Sequence, residues 1–273
     1  METTAAKTEW LGVGTLAASV LCESIYNGMR YPQGFTARSF VFAGAAAALA
    51  AGAMIVLFRA LAAQVWLRTA SAWLCAAAAA VAAGQTVVQA LGLLGQTFSG
   101  TAGWLLAFFA AAALWQADGH MLDSTGWVLR RLAAAAAVLL LAGVWQQLAW
   151  QNLSFGWQAG AQGAAGLFHF YPEYLALPFF VQRSLRGRAG LLPLLDYGVC
   201  AGFALLNELV FGAALAQRLS EGELLRAWGL GIFSRFDSFL LLIWLMLALL
   251  RVAVLAYLAR NAVRQVGKGA VAE

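Results

Sequence analysis

Apolar residues occupy most of the chain in long runs, and the interruptions between these runs are short and rich in charged residues, Gly or Pro. A helix needs about 20 apolar residues to cross the hydrocarbon core of a bilayer. The runs reach about that length or more. They predict eight transmembrane helices near 9–28, 38–63, 66–94, 100–117, 131–150, 160–183, 191–217 and 236–261.

The position of the charged residues supports this prediction. No Asp, Glu, Lys or Arg occurs in 39–58, in 69–117 or in 132–172, and each stretch can cross a bilayer at least once. Only 11% of the 273 residues are charged and 63% are hydrophobic, whereas soluble domains contain about 25% charged residues. We expect an all-α integral membrane protein with a single polytopic domain over 1–273.

Lys and Arg residues cluster at the ends of the predicted helices and indicate the orientation of the chain. If the N-terminus is cytoplasmic, the cytoplasmic set is Lys7, Arg59, Arg68, Arg130, Arg131, Arg183, Arg186, Arg188, Arg260, Arg264 and Lys268. The opposite set is smaller: Arg30, Arg38, Arg218, Arg226 and Arg235. Cytoplasmic loops carry the excess of Lys and Arg, so both termini are expected in the cytoplasm. The net charge of +5 has no basic, aromatic-rich cluster, so nucleic acid is not an expected partner.

Motifs of enzymes and of metal sites are missing from the sequence. There is no HExxH, GxSxG or P-loop. Cys22, Cys75 and Cys200 lie far apart within apolar runs, with no CxxC and no His at ligand spacing. The sequence predicts a protein that is not an enzyme and has no cofactor, no metal and no catalytic residue.

Glu173 is the most informative ionisable residue because it lies between Pro172 and Pro178 in the sixth run. Each Pro removes a backbone donor and disturbs the preceding turn. One interpretation is a broken membrane helix whose free backbone groups and carboxylate hold a ligand, as in transporters. The other is a proline kink near the membrane surface, with Glu173 reaching water.

Glu23 in the first run is the counterpart of Glu173, because broken helices in transporters occupy matching places in two halves of the chain. Solvation of Glu23 at the membrane surface is the alternative. His169 lies four residues before Glu173 and would share its helix face, but one His and one carboxylate make a poor metal site. The candidate ligand-binding residues are Glu173, His169, Tyr171, Tyr174 and Glu23.

Arg251 lies deep in the eighth run, where a charge needs a partner. Glu208 in the seventh run is the only obvious interior partner by residue type, and a structural ion pair and a transport role are both open. Arg235 and Asp237 begin the eighth run, where they pair with other helices or cap this one. The candidate structural or gating residues are Pro172, Pro178, Arg235, Asp237, Glu208 and Arg251.

Two stretches carry a resemblance to a known family. One is Leu230–Asp237 followed by SFLLLIWLMLALLRVAVLAYLA, in which an Arg-x-Asp precedes an apolar helix with Ile-Trp, a basic residue and an aromatic residue: Arg235, Asp237, Ile243, Trp244, Arg251 and Tyr257. The other is FYPEYLALPFF at 170–180, an aromatic-Glu helix ending in Pro-Phe. Together they resemble the spore germination permease family, the B subunits of nutrient germinant receptors. Order and spacing match over 120–273, and the first hundred residues match in helix pattern.

This resemblance implies the amino acid/polyamine/organocation permease fold, with two inverted five-helix halves and a central site at broken first and sixth helices. The chain ends after the eighth predicted helix, so an inverted-repeat bundle lacking the last two helices is expected. The resemblance also implies an A-type membrane subunit and a C-type lipoprotein as partners, in a cell membrane or inner spore membrane. Ser234 stands where the family has an acidic residue.

Three functions remain in view. The first is a germinant-receptor subunit that binds a small nutrient, such as an amino acid, between helices one, three, six and eight and signals germination. The second is an amino acid transporter coupled to H⁺ or Na⁺, in which Glu173 or Glu23 titrates. The third is a membrane scaffold subunit that binds partners and no ligand.

Overall fold

A computed structural model describes residues 11–30, 37–63, 65–95, 118–153, 167–175, 188, 190–216 and 236–269. These residues form helices and turns and contain no strand. The helices are α1 (Val13–Arg30), α2 (Ala37–Ala63), α3 (Val65–Gly95), α4 (Gly119–Val144), α5 (Leu192–Ala216) and α6 (Phe236–Gly269). Two short 3₁₀ turns, Trp145–Gln147 and Trp150–Asn152, follow α4.

Five of these helices, α2 to α6, are long and apolar enough to cross a membrane. Their outer faces carry large apolar side chains that are exposed, among them Leu49 at 74%, Val88 at 66% and Val138 at 65%. Water disfavours so much exposed apolar surface, whereas lipid solvates it. The chain is therefore an all-α integral membrane protein, as its sequence predicts.

Helix α1 lies inside the bundle and contacts α4, α5 and α6. It is not among the five apolar helices, because it carries several polar side chains. Ser19 and Ser24 are completely buried and Glu23 is nearly so. Buried polar groups require hydrogen-bonding partners. We therefore expect polar side chains of the neighbouring elements to face α1.

The interface between α3 and α6 is the most extensive in the described bundle. On α3 the buried positions are small and recur every three or four residues: Ala72, Cys75, Ala76, Ala79 and Ala82. Small side chains let membrane helices approach closely where no hydrophobic effect drives their association. The Ala-rich run of α3 is thus a packing face, and it brings α6 close to α1.

Helix α4 differs from the sequence prediction of a helix at 131–150. It begins at Gly119, where the Asp118 carboxylate accepts a hydrogen bond from the Met121 N–H at 2.7 Å and caps the helix. Arg130 and Arg131 therefore lie in the middle of a helix, and their prediction as loop residues was wrong. The sequence signal was an Asp N-cap, which is among the preferred residues at that position.

The other helices agree with the sequence prediction to different degrees. The bounds of α2, α3 and α5 lie within a residue or two of the predicted ones, whereas α6 continues eight residues past the predicted end at 261. Gly212 interrupts α5 with a φ of 70°. The predicted helix at 100–117 lies outside the described residues.

Candidate functional site

The segment 167–175 belongs to the sixth predicted helix, and only part of it is helical. Residues 168–171 are not helical and 172–175 are. Pro172 stands at the first helical position, where its missing N–H is harmless, and Pro disfavours helical backbone at the residue before it. The Tyr174 N–H donates to the Tyr171 carbonyl at 3.1 Å. Within the described residues the backbone changes from non-helical to helical at Pro172, and the rest of 160–183 is outside the described part.

A buried cluster of three charged side chains joins this segment to α1 and α6. The Arg251 Nε donates to Glu173 Oε1 at 2.9 Å, and Arg251 Nη1 donates to Glu23 Oε2. Glu173 is 0% exposed, Arg251 2% and Glu23 9%. Glu173 therefore does not reach water as its alternative interpretation required, whereas the Glu23 side chain keeps 12% exposure. We call Glu23, Glu173 and Arg251 the charged cluster.

Neutral polar side chains complete the surroundings of the charged cluster. Ser19 Oγ donates to Glu173 Oε1 at 2.8 Å, and Gln89 Nε2 from α3 donates to Glu23 Oε1 at 2.9 Å. Among the described residues, three further buried atoms have no hydrogen-bond partner: Glu173 Oε2, Gln89 Oε1 and the Tyr174 hydroxyl. Buried polar atoms are nearly always satisfied, so these atoms have capacity for another group.

The charge of the cluster is unbalanced. Two carboxylates share one guanidinium, which gives a formal charge of −1 when all three groups are ionised. Isolated charges are costly in a low-dielectric interior unless they are paired. A cationic group that contacted Glu173 Oε2 would balance the cluster.

Aromatic rings form one wall beside the charged cluster. The Arg251 guanidinium carbon lies 5.5 Å from the centre of the Tyr171 ring, within the range of cation–π attraction. Tyr171 also packs against Tyr174 with ring centres 5.6 Å apart, and Phe170 packs edge-on against Tyr174. The rings exclude water from one side and hold Arg251 in place.

Asp196 on α5 is a second polar centre, which the sequence analysis missed. Its side chain is fully buried and accepts hydrogen bonds from Ser24 Oγ at 2.6 Å, from the Tyr171 hydroxyl at 2.8 Å and from the His169 backbone N–H at 2.8 Å. Asn27 Nδ2 donates to the Tyr171 hydroxyl at 3.1 Å. The sequence signal was an ionisable residue in an apolar run, the same rule that selected Glu173.

The structure brings together four of the predicted ligand-binding residues near Arg251: Glu23, Tyr171, Glu173 and Tyr174. His169 is adjacent but does not share a helix face with Glu173, because 168–171 are not helical. Its ring instead lies beside Asp196, with Nδ1 3.7 Å from Oδ2. That part of the prediction was wrong for want of a continuous helix.

The predicted structural residues have separate outcomes. The pairing of Arg251 with Glu208 was wrong, because within the described residues the ion pairs of Arg251 are made with Glu23 and Glu173. Glu208 is buried towards the other end of α5, next to Leu209, whose carbonyl accepts from the Ala149 N–H. Pro172 lies at the break and Asp237 in the first turn of α6. Pro178 and Arg235 are outside the described part.

Comparison with known proteins adds no relative. No protein-family model, curated protein or solved structure matches this chain. The class is therefore defined by the fold and the site themselves: an all-helical integral membrane protein with charged side chains buried between α1, α6 and a broken segment.

Proposed function

We propose that this chain is a permease-like subunit that binds a small nutrient, an amino acid in the first instance, at the charged cluster. One observation carries the proposal: Glu173 is a completely buried carboxylate one residue after the backbone turns helical, and within the described residues its Oε2 has no hydrogen-bond partner. An unsatisfied buried acceptor is costly in the free protein. The ammonium group of an amino acid would donate a hydrogen bond to this oxygen and neutralise the negative charge of the cluster.

The arrangement of elements supports the same proposal. The residues come from α1, α3, the segment 167–175 and α6, which correspond to helices one, three, six and eight of the sequence prediction. Broken membrane helices place ligand sites near the middle of the bilayer in permease folds. We include in the proposal the two predicted helices at 100–117 and 160–183, which would complete an eight-helix, inverted-repeat bundle.

The biological setting proposed is that of a germinant receptor in a cell membrane or inner spore membrane. Its support is the resemblance of 120–273 to the spore germination permease family, whose two stretches contribute Glu173 and Arg251 to one cluster. Nutrient binding would shift the segment 167–175 relative to α6. This movement would be transmitted to an A-type membrane subunit and a C-type lipoprotein.

An ion-coupled amino acid transporter is the second candidate, and the unbalanced charge of the cluster favours it. A formal charge of −1 attracts H⁺ or Na⁺ as well as an ammonium group. Flux of a bound amino acid into proteoliposomes separates the two functions, because a transporter accumulates it under an ion gradient and a receptor subunit only binds it.

The experiment is thermal unfolding of the detergent-purified protein with a panel of amino acids, sugars and nucleosides. A ligand that binds only the folded state raises the unfolding midpoint. We expect an amino acid to raise it in the wild type, and Glu173→Gln to abolish the rise. Glu208→Gln is the matched control, since it removes another buried carboxylate, which lies on α5 and outside the charged cluster.

Three outcomes decide the proposal. A rise lost in Glu173→Gln and kept in Glu208→Gln supports binding at the charged cluster. A rise kept in both variants places the ligand elsewhere and overturns the site. No rise with any compound, in a protein whose unfolding is cooperative, overturns nutrient binding by this chain and favours the scaffold function.

A further inference from the structure

Three metal-ligating side chains of different types meet beside the charged cluster. They are His169 from the segment 167–175 and Asp196 and Cys200 from α5, whose spacing of four places them on one helix face. Their ligand atoms all lie within 4.8 Å of one another. Among the described residues this is the group that has the composition of a metal site.

We propose that His169, Asp196 and Cys200 form a binding site for a borderline divalent cation, with Zn²⁺ as the natural occupant. His, Cys and carboxylate are the ligands that Zn²⁺ uses in proteins. A sulfur and a nitrogen ligand together disfavour Ca²⁺ and Mg²⁺, which bind through oxygen. The site is independent of nutrient binding at the charged cluster.

The ligand atoms lie close enough to be drawn onto one cation. Cys200 Sγ is 4.0 Å from His169 Nδ1 and 3.5 Å from Asp196 Oδ1, and His169 Nδ1 is 3.7 Å from Asp196 Oδ2. Tetrahedral zinc with its usual bond lengths separates these ligand atoms by about 3.3–3.7 Å. These distances use both oxygens of Asp196, and with one ligand atom per residue the separations extend to 4.8 Å. Binding therefore requires side-chain rotations that bring the ligand atoms about 1 Å closer together.

The charge of Asp196 gives a reason for a cation at this place. Asp196 is 0% exposed, and its one ion-pair partner in the described structure is His169, which carries a charge only when protonated. A buried carboxylate without a cation is costly. Zn²⁺ with the Asp196 carboxylate and a Cys200 thiolate is a neutral unit, and the thiol proton is released to solvent on binding.

Neighbouring groups already orient the Asp196 carboxylate. Ser24 Oγ and the Tyr171 hydroxyl donate to Oδ1, and the His169 backbone N–H donates to Oδ2. Such second-layer hydrogen bonds fix the ligands of metal sites and contribute to affinity. The His169 side chain is 28% exposed, which makes it the most accessible of the three ligands.

The test is a titration of chelator-treated, untagged protein in detergent with Co²⁺, followed by competition with Zn²⁺. Co²⁺ occupies zinc sites and gives a charge-transfer absorption when a thiolate binds it. We expect saturation at one equivalent, with this absorption, and its loss when Zn²⁺ is added. Cys200→Ser removes the absorption. Cys75→Ser is the control, since it removes another buried cysteine and leaves the absorption intact.

Two further variants grade the affinity. Ser24→Ala removes a second-layer donor and raises the apparent Kd for Co²⁺ about 10- to 100-fold. His169→Gln removes a ligand and raises it further. Because the His169 side chain is partly exposed, this variant retains the fold even where Cys200→Ser does not.

The proposal is overturned by either of two results. One is the absence of thiolate-to-Co²⁺ absorption in wild-type protein at saturating Co²⁺. The other is the same absorption and Kd in His169→Gln or Cys200→Ser as in the wild type. Neither readout depends on a nutrient, so failure here leaves the proposed function standing, and failure of nutrient binding leaves the metal site standing.

Discussion

The two tyrosines of the segment 167–175 are both buried, but they are expected to contribute differently to the free energy of unfolding. Tyr171 is buried and fully engaged, because its hydroxyl donates to Asp196 and accepts from Asn27. Tyr174 is also buried, and its hydroxyl has no hydrogen-bond partner in the described part of the chain. Satisfied polar groups stabilise a fold, whereas unsatisfied ones cost about 1–3 kcal/mol.

Tyr171→Phe and Tyr174→Phe are accordingly expected to differ in sign. Tyr171→Phe leaves Asp196 and Asn27 each without one hydrogen bond and lowers the free energy of unfolding by about 1–3 kcal/mol. Tyr174→Phe removes an unsatisfied hydroxyl and leaves that free energy unchanged or higher. Reversible unfolding in mixed micelles measures both. A loss of stability in Tyr174→Phe as large as in Tyr171→Phe would contradict the assignment.

Single residues of the site differed in how well the sequence could predict them. Glu173, Glu23 and Arg251 were selected because an ionisable residue within an apolar run needs a partner. Which partner each one has was not predictable, since Glu23 and Arg251 are 228 positions apart and meet only through helix packing. Asp196 was overlooked because its partners come from α1 and from the segment 167–175, although the Asp-x-x-x-Cys spacing was visible.

At the scale of elements, α4 holds the beginning of α1. The Gly12 N–H donates to both Asp123 carboxylate oxygens, at 2.8 and 3.0 Å, and the Thr15 hydroxyl donates to Oδ1. The first N–H groups of a helix have no partner within it, and here a neighbouring helix supplies the acceptor. Asp123 thus fixes α1, and with it Glu23, relative to α4.

Asp123→Ala is expected to lower the free energy of unfolding by about 1–3 kcal/mol, because the Gly12 N–H and the Thr15 hydroxyl both lose their acceptor in a partly buried interface. Ser124→Ala is the control. Its exposed hydroxyl donates to the Met121 carbonyl one turn back, so its effect should stay within about 0.5 kcal/mol. Equal effects of the two variants would show that α1 is not held in this way.

Close packing of α1 on α4 depends on Gly126. A Cβ atom there would lie 3.1 Å from the Thr15 Cα, which is backbone and cannot rotate away. Gly126→Leu is therefore expected to destabilise the protein by about 1–3 kcal/mol or more through overpacking. Gly84→Leu on α3 is the control, since no atom of the described residues lies within 4 Å of a Cβ placed there. Similar stability of the two variants would contradict the packing of α1 against α4.

The elements themselves were predictable to the extent that hydrophobicity alone determines them. The bounds of α2, α3 and α5 follow their apolar runs closely. α4 was misplaced because Asp123, Arg130 and Arg131 make its first half polar, and polarity was taken to indicate a loop. In the structure two of these side chains make contacts within and between helices. Asp123 accepts hydrogen bonds from the start of α1, and the Arg131 guanidinium lies 3.8 Å from the centre of the Trp127 ring.

At the scale of the whole molecule, the described bundle is arranged around polar α1, with apolar faces turned outwards. Without Arg130 and Arg131, which lie within α4, the predicted cytoplasmic set still has nine Lys and Arg residues against five on the opposite side. This distribution predicts that both termini are cytoplasmic. A C-terminal fusion to green fluorescent protein should fluoresce, and a fusion to alkaline phosphatase should be inactive. An active phosphatase fusion would reverse the orientation.

The most direct test of the account is whether Glu173 and Arg251 interact, because the proposed nutrient site depends on that contact. The measurement is a double-mutant cycle on the free energy of unfolding with Glu173→Gln, Arg251→Gln and the double variant. Arg251→Gln leaves the buried Glu173 without its cation, whereas Glu173→Gln leaves Arg251 paired with Glu23. Arg251→Gln should therefore cost less once Glu173 is neutral, and the double variant should be less destabilised than the sum of the single variants by about 0.5–3 kcal/mol. The same cycle with Glu208→Gln should be additive. Additivity within about 0.5 kcal/mol for Glu173 and Arg251 would contradict the charged cluster.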